Sequence, residues 1–307
     1  NVVATSDGRN NTTRQTYDAI NRVKKIIDPV AAETQFFYNV QNQIETIIDA
    51  SGNMTTYRYD GFGNLVSQTS PDTGTTTFIY DAAGNRTSST DARGIVTNYI
   101  YDALNRLTAI KYPAAPAENI SFVYDTSSST NFGIGRLSRI NKTGVNIAYL
   151  YDHLGRVTQK DTTPNGVAKN IKYSYDKAGN ITRIIYPSLR SVDYSYDSVG
   201  RLTGLTTKLG SAAAQTIVNN ISYLPFGPAT GYRYGNGLTH TQTFDQDYRL
   251  TNIQVGGVLS RSYGYDPVDN ITSVVNTLNS SKSQVYTYDA LNRLITARGG
   301  YGNLGYT

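Results

Sequence analysis

The pair Tyr-Asp recurs along this 307-residue chain at a nearly fixed interval, and that recurrence limits the fold more than any other feature. It stands at Tyr17, Tyr59, Tyr80, Tyr101, Tyr124, Tyr151, Tyr175, Tyr196, Tyr265 and Tyr288. Three degenerate copies, Tyr38-Asn39, Tyr223-Leu224 and Phe244-Asp245, fill the gaps and give 13 units. Seven of the intervals are 21 residues and the longest are 27. The phrase Tyr101–Leu107, YDALNRL, is repeated letter for letter at Tyr288–Leu294.

Take the tyrosine as position n. Most units carry a second aromatic at n−2, as at Phe36, Tyr57, Phe78, Tyr99 and Tyr194. Two residues share a face at that spacing only in an extended chain, so the approach to Tyr-Asp is a strand. Position n+4 is Gly or Asn in most units, including Gly63, Gly84, Gly155, Gly179 and Gly200, the types that best tolerate positive φ. The aspartates at n+1 (Asp18, Asp60, Asp81, Asp102, Asp152, Asp176, Asp197, Asp266 and Asp289) can accept from free turn amides. Position n+5 is Arg or Asn. An apolar residue at n+6, such as Leu65, Leu107 or Ile181, opens a second strand. A looser break follows, as in DASG 49–52 or DARG 91–94.

Each unit is therefore a hairpin. One hairpin cannot bury its apolar face alone, but a stacked array can. The expected fold is all-β: repetitive antiparallel hairpins in one long sheet, with aromatic ladders across neighbouring strands. The stretches Thr126–Asn131 and Ser211–Asn219 are expected to be lengthened loops within a single array over residues 1–307. No linker, charge block or separate catalytic domain interrupts it.

Composition agrees. Tyr (26) and Gly (27) are abundant, and no long helical stripe is present. The absence of cysteine excludes disulfides and thiolate metal sites. No apolar run approaches the length of a membrane-spanning helix. A formal charge of +5 reads as scattered surface Arg and Lys more readily than as a polyanion-binding face.

The motifs that suggest chemistry have plainer readings. Asp72-Thr73-Gly74 spells an aspartic-protease signature but lies in SPDTGT, which is turn chemistry. His153 and His240, the only histidines, are expected to be solvated. Nucleophile-elbow, phosphate-loop and EF-hand patterns are missing. Gly133–Arg136 reads as the late turn of a lengthened unit and Tyr234–Gly237 as a tight turn. The sequons at Asn85, Asn141, Asn180, Asn220 and Asn270 read as turns. No catalytic residue, cofactor or metal is assigned.

The recurring YDxxGRLT and YDxxGNxT, with phrases such as DARGIVTNYIYDALNRL, resemble the Rhs or YD-repeat family along the whole chain. That family includes bacterial Rhs toxins, cocoon subunits of insecticidal toxin complexes, and teneurins. The resemblance implies a spiralling β-sheet shell, secreted or on the cell surface of a bacterium, that encloses a toxic C-terminal polypeptide. The DPxG-rich self-cleavage region of the toxins has no counterpart; Asp266-Pro267-Val268-Asp269 sits in an ordinary repeat. The alternative is an extracellular adhesion or fibre protein, its repeated Tyr and Arg contacting glycans or neighbouring copies. Nucleic acid is not an expected partner. Both ends fall inside a repeat, so the chain is expected to be a segment of a longer polypeptide whose end strands lack partners or pair with another copy.

Overall fold

The computed structural model describes Asn1–Tyr306. Among these residues 28 strands belong to one antiparallel sheet, and Ser127–Ser128 pairs separately with Asn131–Phe132. Among the described residues the only helical elements are two short 3-10 turns, Pro116–Glu118 and Ser280–Lys282. Strands pair with their sequence neighbours: Met54–Tyr59 with Leu65–Ser70, Leu65–Ser70 with Gly74–Tyr80, and so on. By contacts the chain divides into two compact units, one of residues 1–15, 27–32 and 175–307, the other of residues 16–26 and 33–174.

The hairpin has a fixed irregularity. Tyr59 lies opposite Leu65 while Arg58 lies opposite Ser67, so Val66 is an extra residue. The same bulge stands before Tyr38, Tyr80, Tyr101, Tyr196 and Tyr265. A bulge adds twist and re-aims the strand end, and its recurrence makes each repeat bend alike.

Burial is that of a wall one sheet thick. Among the described residues no side chain is below 2% exposure, and the buried apolar residues are only Ala109, Tyr151, Val255 and Ala297. Apart from the buried Tyr151, the n and n−2 residues are half-buried, while Phe37, Ile79 and Ile100 at n−1 are exposed on the other face.

Three expectations change. Ser211–Asn219 is mostly strand: Gln215–Tyr223 pairs on both sides and absorbs its extra residues as register shifts. Inside Thr126–Asn131 the chain makes a small hairpin of its own before returning to the turn. The end strands do have partners, since Ala4–Ser6 pairs with Thr12–Arg14 and Gly302–Gly305 with Thr296–Gly299.

Candidate functional site

The element repeated along the chain is the turn after each tyrosine, and most copies share one chemistry; the turn after Tyr223, with Leu224 at n+1, keeps only its main-chain bonds. In the unit at Tyr59, Asp60 Oδ1 accepts the amides of Phe62 and Asn64, both at 2.9 Å. Asp60 Oδ2 accepts Asn64 Nδ2 at 2.9 Å. In the unit at Tyr101, Asp102 accepts the amides of Leu104 and Arg106 at 2.9 and 3.0 Å, and Arg106 Nε at 2.7 Å. Position n+5 is Arg or Asn because either can donate sideways to the same carboxylate that holds its own amide. Asn39 shows the rule by inversion: its amide Nδ2 donates to Gln43 Oε1 at 2.9 Å, so both partners have changed together.

These bonds stabilise the ionised carboxylate. The Asn64 side chain, with turn amides, holds the Asp60 carboxyl below its ordinary range. The Arg106 amide and guanidinium do the same for Asp102, and the Arg293 pair for Asp289. The residue at n+4 closes the turn with positive φ: 82° at Gly84, 80° at Gly155, 94° at Gly179 and 83° at Gly200. Asn42, Asn105, Tyr248 and Asp269 do the same without being glycine.

In most repeats the tyrosine hydroxyl donates to the main-chain carbonyl at n+6 of the preceding repeat; after the lengthened unit Tyr151 reaches the equivalent Leu137 O instead. Tyr59 reaches Ile44 O at 2.9 Å, Tyr80 reaches Leu65 O at 3.0 Å, and Tyr101 reaches Arg86 O at 3.1 Å. Tyr196, Tyr265 and Tyr288 repeat the bond to Ile181, Leu250 and Ile271. The Arg at n+5 lies over the next tyrosine, with Arg22 4.4 Å from the Tyr38 centroid and Arg106 4.5 Å from that of Tyr124. The expected aromatic ladders are thus replaced in these repeats by alternating rings and guanidinium groups, a cation–π arrangement. Sequence pattern could not show the hydroxyl bond, because its acceptor is backbone.

The Rhs repeat family matches residues 38–75, 59–95, 80–117 and 265–304, and the teneurin YD-shell family matches residues 127–226. The chain belongs to the Rhs/YD-repeat family. No curated protein sequence matches it. Among solved structures, the Photorhabdus luminescens Tc holotoxin pore is similar with a TM-score of 0.83 and 19% identity, over 94% of this chain and 16% of that one. The TcdB2-TccC3 crystal structure is similar with a TM-score of 0.71 and 16% identity, over 95% of this chain and 20% of that one. The chain thus spans about a fifth or less of the length of these solved chains, and at such identities the likeness shows the fold.

Elsewhere in this YD-repeat array the motifs at Asp72, Gly133–Arg136 and Tyr234–Gly237 resolve as turns, whereas the sequons at Asn141 and Asn220, expected in turns, lie within the paired strands Leu137–Lys142 and Gln215–Tyr223. Asp72 is exposed, with its amide on Ser70 Oγ. Gly237 closes the Tyr234 turn at φ 90°. In the lengthened unit Gly135 and Arg136 finish the turn begun at Asp125, and the Gly135 amide donates to Asp125 Oδ1 at 2.7 Å. Among the described residues no group of three or more His, Asp or Glu could hold a metal ion. No helix among them is long and apolar enough to cross a membrane.

His153 is exposed, but His240 is not solvated. It is 4% exposed, stacked on Tyr232 at 4.3 Å and 7°. Gln242 Nε2 lies 2.7 Å from His240 Nε2, and the buried Nδ1 finds no partner. Burial pushes its pKa down and keeps the ring neutral. It lies in phase with Gln242 and Phe244, on the tyrosine face of its strand. That phase was the available signal.

Proposed function

We propose that this array is part of the wall of a secreted or cell-surface shell that encloses a toxic polypeptide. The structural role follows from the family; the cargo is our reading. The observation that carries it is a sheet one layer thick, matching a Tc holotoxin structure over 94% of its length and locked repeat to repeat by backbone and turn bonds. Such a sheet spends its chemistry on holding itself together. Its recurring polar groups are engaged in the lock and are not converging on a reacting atom, as catalysis requires.

Limited proteolysis of the native protein, purified from its source cell, tests the reading. A polypeptide that co-purifies with the repeats and resists protease until the sheet is melted is expected. Repeats that purify with no protected polypeptide overturn it.

A further inference from the structure

The identical segments Tyr101–Leu107 and Tyr288–Leu294 also have the same geometry. Asp289 accepts the amides of Leu291 and Arg293 at 2.8 and 2.9 Å, as Asp102 does those of Leu104 and Arg106. Asn105 and Asn292 are both left-handed, with φ 59° and 62°. Each offers its Oδ1 to an asparagine of the preceding repeat, Asn85 at 2.8 Å and Asn270 at 3.1 Å.

What differs is what lies on them. The turn Asp7–Asn11, in the same compact unit, is seated on the segment at Tyr288. Arg9 donates from Nη1 to the Tyr288 carbonyl at 3.4 Å. Its Nη2 donates to the Asp289 carbonyl and to Asn292 Oδ1, the latter at 2.5 Å. Its Nε stands 3.7 Å from Asp266 Oδ2. Gly8 lies so close that a Cβ there would stand 2.4 Å from the Pro267 carbonyl oxygen. Leu291 at the turn tip is half-buried under this cover, whereas its counterpart Leu104 is 71% exposed. Asp81 and Asn85 stand in their repeat where Asp266 and Asn270 stand in theirs.

We propose that Tyr101–Leu107, with Asp81 and Asn85 beside it, is a second and open receptor for a sheet-edge turn of Asp-Gly-Arg sequence, presented by another chain. The chemistry fixes the occupant. The acceptors are two main-chain carbonyls, a carboxamide oxygen and a carboxylate, which suit the planar fork of Arg and not the point charge of Lys. The residue before the Arg must be Gly, because the atom a Cβ would strike is backbone and cannot turn aside. The chain's own Asp91-Ala92-Arg93 turn carries an Ala at that position and is excluded by the same contact. Burial of the Leu104 side chain supplies the apolar part of the interface.

The probe is a backbone-cyclised, fluorescently labelled hairpin of residues 3–15, its fold checked by circular dichroism and its binding to the chain followed by anisotropy. Saturable binding at one peptide per chain is expected. Changing Gly8→Ala or Arg9→Lys in the peptide should weaken binding at least tenfold. So should Asn105→Gly in the chain, which keeps the left-handed turn and removes the acceptor together with its bond from Asn85; a circular dichroism spectrum matching that of the wild type reports an intact fold. Absence of binding to the wild-type chain at millimolar peptide, or affinity unchanged in Asn105→Gly, overturns the proposal.

Discussion

The hydroxyl of Tyr59 donates to the main-chain carbonyl of Ile44, 2.9 Å away and one repeat earlier. The same bond to the preceding repeat is made from Tyr38 through Tyr151 and again at Tyr196, Tyr223, Tyr265 and Tyr288. In a sheet without a second layer it is one of the side-chain links, with the arginine over the next tyrosine and the asparagine bond between turns, that fasten one hairpin to the next. Tyr59→Phe keeps the ring and removes the link. Chemical denaturation should show a loss of about 1 kcal/mol, the usual net worth of such a bond. An unchanged midpoint would show that the hydroxyl adds nothing to the joint between repeats. Phe244, which has no hydroxyl, cannot make this bond.

The turn carboxylate should be replaceable by a carboxamide but not by a methyl group. Asp60→Ala frees the amides of Phe62 and Asn64 together. Asp60→Asn keeps an acceptor for both and loses only the side-chain donor match, as Asn39 shows in its own turn. Melting temperatures should fall in the order wild type, Asn, Ala. An equal loss in both variants would place the turn's stability elsewhere.

Two glycines separate backbone strain from crowding. Gly179 has φ 94° and open space where a Cβ would stand, while at Gly155 a Cβ would meet the Arg136 guanidinium at 2.0 Å. Gly179→Ala should cost about 1 kcal/mol from the left-handed backbone alone. Gly179→Asn should cost less, since Asn42 and Asn105 adopt that conformation elsewhere. Gly155→Ala should cost more than Gly179→Ala unless the arginine moves away. Paired denaturation curves decide the order.

Acid should weaken the array in two stages. Burial depresses the pKa of His240, so the unfolded chain binds its proton first and stability falls as pH drops below about 6.5. His240→Phe should abolish that limb. The carboxyls of Asp60, Asp81 and Asp102 are depressed by turn hydrogen bonds, which are fully present above the ordinary aspartate pKa of about 4. Their contribution is lost as pH falls below that value through the folded pKa of each. A pH series of melting temperatures that is flat from 7 to 5 in the wild type would remove His240 from this account.

The sequence made the hairpin period, the strand phase and the left-handed n+4 positions readable, because each is a side-chain pattern tied to a backbone requirement. It did not reveal what the tyrosine hydroxyl grips, since a carbonyl leaves no letter in the sequence. Nor did it separate the two tasks of Arg106, which braces its own turn through Asp102 and covers Tyr124 of the next. His240 was misplaced because a lone histidine in a polar strand, THTQTF, reads as surface unless its phase with Phe244 is counted. The seat of Arg9 lies some 280 residues from it in the chain, beyond any local pattern.

The tyrosine bond always points one repeat back and the arginine one repeat forward. These two fastenings are thus relative; the seat of Arg9 on Tyr288, Asp289 and Asn292 is of another kind, since it joins two distant places in the chain. A duplication or deletion of one whole unit would leave each surviving hairpin with the neighbours it needs. Length in such a protein is a freely adjustable quantity, set by counting units and not by redesigning a core, so a gene could enlarge or shrink this wall by unequal exchange alone.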